Sequence, residues 1–101
     1  MDFSENVVLV TGGSRGIGAA TVKVIASSGG SVAVHYGSNQ DAAEKLRSEI
    51  GFENCHLVKA DLSDSGAASE LWKDALRWKG KIDAVVNNAG VFLTEDRTGS
   101  D

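Results

Sequence analysis

Four short apolar runs alternate with three longer helical periods along this chain, and that order predicts a parallel α/β sheet. The first run, Val7-Val8-Leu9-Val10, is apolar throughout, as in a strand covered on both faces. Ser31-Val32-Ala33-Val34-His35 and Cys55-His56-Leu57-Val58-Lys59 predict the second and third strands, and Ile82 to Asn87 the fourth. In a helix from about Arg15 to Ser28, the positions Ile17, Ala20, Thr21, Val24, Ile25 and Ser28 recur at helical spacing, and Gly29-Gly30 stops it. A second helix from about Gln40 to Ile50 puts Ala43, Leu46 and Ile50 on one face and ends at Gly51. The loop Asp61-Leu62-Ser63-Asp64 is expected to supply the N-cap of a third helix. That helix carries Ala68, Leu71, Trp72, Ala75 and Trp78 on one side and runs to about Lys79.

Right-handed crossovers order these strands 3-2-1-4, a Rossmann-type three-layer arrangement with its switch point between the first and fourth strands. Ligands of such sheets sit at the carboxyl ends of the strands flanking the switch. Two segments fall there: the glycine-rich turn after the first strand, and Asn88-Ala89-Gly90 after the fourth.

Composition adds limits. The chain has 101 residues, enough for one domain and not two, with 42% hydrophobic and 24% charged residues and a net charge of −4. No basic block points to nucleic acid or a membrane surface. Cys55 is the single cysteine, which rules out an intrachain disulfide, and neither His35 nor His56 belongs to a cluster at metal-ligand spacing. The N-terminus is acidic where a secretory signal would be basic, so a cytoplasmic location is expected.

The turn itself reads Thr11-Gly12-Gly13-Ser14-Arg15-Gly16-Ile17-Gly18. A tight strand-to-helix turn needs positive φ, an approaching pyrophosphate needs no Cβ in its way, and close packing needs a small residue. The helix N-terminus then offers N–H groups and a partial positive charge, worth roughly 0.3–1 kcal/mol and about 2 when partly buried. Gly13 and Gly18 have the interval of a Walker A loop, but Ala19-Ala20 follow where Lys-Ser/Thr is required, so that reading fails. The G-x-G-x-x-G spacing is also absent. What stands is T-G-x-x-x-G-x-G between a strand and a helix.

Four features in order now resemble the short-chain dehydrogenase/reductase family, in its single-domain branch: Thr11-Gly12-x-x-x-Gly16-x-Gly18, Asp61-Leu62, Asp83, and Asn87-Asn88-Ala89-Gly90. Within that branch the segment is most similar to 3-oxoacyl-carrier-protein reductases and bacterial sugar or polyol dehydrogenases. The resemblance implies that Gly12, Gly13, Ser14, Arg15, Gly16, Ile17 and Gly18 meet the phosphates and ribose of a nicotinamide dinucleotide. It implies that Asp61 bonds the adenine amino group with Leu62 against the ring, and that Asn88, Ala89 and Gly90 line the adenosine ribose and the approach to nicotinamide. Thr11 ties the turn to that loop, and Asn87 braces the central strand. Without the resemblance, Asp61 and Asp64 read as capping residues and Asn88-Ala89-Gly90 as a plain turn.

An NAD-specific site commonly has an acid at the end of the second strand. Here Tyr36-Gly37-Ser38-Asn39 stands there, with Tyr36 at the adenosine end and Ser38 and Asn39 able to add neutral hydrogen bonds. Arg15 precedes Gly16, where a guanidinium pairs with a 2′-phosphate. NADP(H) is therefore expected over NAD(H), although Asp41 opposes it from the next helix.

The family's catalytic residues are a serine, a tyrosine and a lysine four residues after the tyrosine. Tyr36 is the only tyrosine and Gln40 stands four residues on, so no residue here is assigned a catalytic role. The expectation is a truncated cofactor-binding half, residues 1–101, inactive alone and exposing an apolar edge at Ala84-Val85-Val86. The intact protein is expected to act on a small carbonyl or secondary alcohol, as a homo-tetramer or dimer. The alternative is a non-catalytic dinucleotide sensor or scaffold.

Overall fold

The computed structural model describes residues 4–14 and 16–88. The elements in chain order are β1 (Val7–Thr11), α1 (Gly16–Ser27), β2 (Ser31–Tyr36), α2 (Gln40–Ile50), β3 (Cys55–Lys59), α3 (Ala67–Lys79) and β4 (Ala84–Asn87). A single 3₁₀ turn, Phe52–Asn54, which periodicity does not announce, leads into β3. The four strands form one parallel sheet in the order β3-β2-β1-β4, as expected from the crossovers. All four carboxyl ends therefore share one edge, where the glycine turn begins.

Alternation along the strands sorts side chains into two cores, one per face. Val8 and Val10 of β1 join Val32, Val34 and Cys55 under Val22 and Ile25 of α1 and Leu46 of α2. Leu9, Ala33 and Val58 point the other way and pack on Leu71 and Ala75 of α3. Burying each such valine or leucine stabilises the fold by about 1.5–3 kcal/mol relative to exposure. This is why β1 and most of β2 are apolar without alternation: both faces are covered.

Three readings are resolved by the fold, the last two as corrections. The first concerns α1, whose helical spacing assigned no face: its buried residues are Gly18, Val22 and Ile25, while Ile17 and Val24 are exposed. Ile17, Ala20, Thr21 and Val24 instead line an open apolar groove of about 430 Å³, with Val8, Ile25, Ala84 and Val86 completing its walls. The helix is apolar on two sides, and period alone does not say which side meets the sheet.

The second concerns α3, which takes no side-chain N-cap from the Asp61–Asp64 loop. Its N-cap is Gly66, which has no side chain to cap with, and the Asp61 carboxylate accepts instead from Ser63 N and Ser63 Oγ at 3.0 and 2.6 Å. Its packed positions are Leu71, Ala75 and Trp78, and Trp72 is exposed. The third concerns β4, which begins at Ala84 and not at Ile82. The Asp83 carboxylate accepts the Val7 N–H at 2.7 Å, and the Asp83 N–H donates to the Val7 carbonyl at 2.7 Å, so one residue closes that end of the ladder.

Candidate functional site

The turn between β1 and α1 uses its glycines for three separate reasons. Gly12 and Gly16 have φ of 62° and 64°, the left-handed region that side-chain-bearing residues avoid. A Cβ on Gly18 would lie 2.3 Å from the Gly12 carbonyl oxygen, a backbone atom with no room to retreat, so the helix closes on the turn only with glycine there. A Cβ on Gly13 would meet Val34, Val10 and Val22 at 3.1–3.2 Å, which seats the turn directly on the core. Over Gly16 there is open space, the first turn of α1 carries no acidic residue, and Ile17 is exposed. Ser14 is half-buried beside them; Arg15 lies outside the described residues.

One residue that sequence reasoning set aside holds this turn. His35, 4% exposed at the end of β2, accepts the Gly12 N–H on Nδ1 at 2.9 Å, and its own carbonyl accepts the Gly13 N–H at 2.9 Å. Its Nε2 faces the Ala60 carbonyl at 2.9 Å. The available signal was a histidine inside an otherwise apolar buried run, which obliges its ring nitrogens to find partners. Weighing it only as a metal ligand missed that.

The remaining predicted residues fall along the carboxyl edge. Tyr36 is buried as the last residue of β2, and its carbonyl accepts the Ala60 N–H at 3.1 Å, which brings β2 beside the Asp61 loop. Ser38 and Asn39 are exposed, and Asn39 caps α2 by accepting the Ala42 N–H at 3.0 Å. Asp61 is exposed, and its two bonds from Ser63 hold its carboxyl below the ordinary value of 3.8. Leu62 packs partly against the α3-side core. At the end of β4, the Thr11 hydroxyl donates to Asn87 Oδ1 at 2.8 Å and the Asn88 N–H donates to the Thr11 carbonyl at 3.3 Å. Ala89 and Gly90 lie outside the described residues. The fold thus gathers the glycine turn, the β2 end, the Asp61 loop and Asn88 at one edge of the sheet.

Residues 6–100 match the family model for short chain dehydrogenase. The chain belongs to the short-chain dehydrogenase family. Its sequence is 41% identical over 85 residues to an acetoacetyl-CoA reductase of Paracoccus denitrificans, covering 84% of this chain and 34% of that protein. It is 38% identical over 87 residues to the versicolorin reductase stcU of Emericella nidulans, covering 84% of this chain and 33% of that one. Among solved structures, a short-chain dehydrogenase/reductase of Serratia marcescens superposes with a TM-score of 0.82 at 38% identity, over 87% of this chain and 37% of that one. The chain therefore spans about a third of the length of the relatives it matches.

Members of the short-chain dehydrogenase family are oxidoreductases that use a nicotinamide dinucleotide, and the described residues fit one. A Cβ would strain the backbone at Gly12 and Gly16 and strike the turn itself at Gly18, and the space over Gly16 is open. Behind it stands the N-terminus of α1, whose first N–H groups have no partner within the helix and favour an anion. Among the described residues no helix is long and apolar enough to cross a membrane.

Proposed function

We propose that this short-chain dehydrogenase segment binds NADP(H) and supplies the cofactor half of an enzyme that interconverts a small carbonyl compound and its secondary alcohol. The observation that carries this reading is the glycine turn, closed by the 2.3 Å approach of the absent Gly18 Cβ to Gly12 and left open above Gly16. In this reading the backbone of Gly12 to Gly18 and the Ser14 side chain hold the pyrophosphate. Asp61 and Leu62 take the adenine, while Asn88, Ala89 and Gly90 line the ribose and the route to nicotinamide. When bound, the cofactor supplies hydride exchange at its nicotinamide ring. This chain's own residues bind and orient it, and the proton transfer belongs to a Ser, Tyr and Lys that are not among them.

The preference for the phosphorylated dinucleotide follows from charge. Tyr36-Gly37-Ser38-Asn39 brings no carboxylate to the end of β2, and the exposed Ser38 offers a hydroxyl beside it. Arg15 stands one residue before Gly16 and supplies the guanidinium for bidentate phosphate pairing. Asp41, in the first turn of α2, is the one nearby acid in sequence that works against it.

Titration of the purified protein with NADPH and NADH, followed by nicotinamide fluorescence, tests both parts. NADPH is expected to bind about tenfold or more tightly, a difference of about 1.4 kcal/mol. Arg15→Ala is expected to reduce that ratio while leaving NADH affinity nearly unchanged. Equal affinity for the two dinucleotides overturns the NADP(H) assignment, and binding of neither overturns the site.

A further inference from the structure

We propose that His35 is a positioning residue of the dinucleotide site, holding the glycine turn through the Gly12 N–H. The proposal rests on the reading of the glycine turn as the pyrophosphate cradle. His35 touches both halves of the site through a ring buried to 4% exposure.

The partners assign the ring's state. The Gly12 N–H is only a donor, so Nδ1 must accept; the Ala60 carbonyl is only an acceptor, so Nε2 must carry the proton. The neutral Nε2–H tautomer alone satisfies both. Gly12 is then held through its N–H on His35, while its carbonyl oxygen lies 2.3 Å from where a Gly18 Cβ would be. With φ of 62° at Gly12, rotation of that peptide plane would redirect the whole turn that follows. The Gly13 N–H on the His35 carbonyl adds a second constraint from the same residue. On the other side, Ala60 immediately precedes Asp61, so one imidazole spans from the phosphate cradle to the adenine loop.

Asparagine and glutamine separate the two ring bonds. The Asn Oδ1 falls near the Nδ1 position and can accept from Gly12, whereas the longer Gln reaches the Nε2 position and serves Ala60. His35→Asn is expected to bind NADPH within about threefold of the unaltered protein, and His35→Gln about tenfold or more weakly, since an unsatisfied Gly12 N–H frees the turn. Both variants lose one buried bond, so similar melting temperatures with unequal affinities mark positioning and not general stability. Equal affinities of the two variants overturn the proposal while the dinucleotide site stands. Failure of the unaltered protein to bind either dinucleotide overturns the site reading and this role together. Independently of any variant, the ¹⁵N shifts of the His35 ring are expected to show Nδ1 unprotonated and Nε2 protonated; the opposite tautomer overturns the proposal.

Discussion

β2 and β4 flank the same strand in the same parallel sense with similarly apolar sequences, yet their surroundings are opposite. Five of the six residues of β2 are buried, whereas β4 has three exposed residues and one half-buried. Val32 and Val34 are sealed under α1 and α2, and Ala33 under α3. The corresponding residue of β4 on the α3 side, Val85, pairs with Leu9 in register and is 48% exposed. On the other side, Ala84 and Val86 line the open groove beside α1. β2 is held by packing. β4 is held by its backbone ladder to β1 and by polar ties at its ends: Asp83 on Val7 below, and Asn87 on Thr11 with Asn88 on the Thr11 carbonyl above. Burial of a strand is decided by what crosses its faces.

The sharpest test of the packed side is Gly18→Ala. The added methyl meets the Gly12 carbonyl at 2.3 Å, so the helix must lift from the turn. Urea unfolding is expected to show a loss of about 3 kcal/mol, with dinucleotide binding weakened at least tenfold. A variant of unchanged stability and affinity would mean that turn and helix are not closed on each other.

The contrast between the two strands is read directly by a matched pair of truncations. Val32→Ala opens a cavity in a fully buried site and is expected to cost about 2 kcal/mol. Val85→Ala removes the same atoms from a half-exposed position and is expected to cost about 0.5 kcal/mol or less. Equal losses on urea unfolding would break the comparison and show that β4 is covered in solution.

The polar ties of β4 are probed next. Thr11→Val keeps the shape of the side chain and removes its bond to Asn87, for an expected loss of about 1 kcal/mol. The smallest effect is at Asp83. The Val7 N–H, ahead of Lys81, holds this carboxyl below the ordinary value of 3.8. Its contribution is therefore present above the unfolded-state value and is lost as pH falls through the lower folded-state value. Stability measured between pH 5 and 2 is expected to fall less steeply in Asp83→Asn; parallel curves would remove Asp83 from the set of ties.

Hydrophobic period and glycine spacing were enough to read the element order, the 3-2-1-4 sheet and the position of the glycine turn. Each rests on local chemistry: β-branched runs, helical period, the conformational freedom of glycine and the handedness of crossovers. A tie from Thr11 to the loop after β4 was also legible from the family pattern, and Asn88 makes it through the Thr11 carbonyl. Other features depended on which neighbours arrive from far along the chain. Which of two apolar sides of α1 meets the sheet and which faces of β4 are covered are of that kind. His35 belongs with them. In sequence it is one polar residue in a strand; only the fold sets the Gly12 N–H and the Ala60 carbonyl on opposite sides of its ring, because a buried imidazole must satisfy both nitrogens and the sheet brings those two groups within reach.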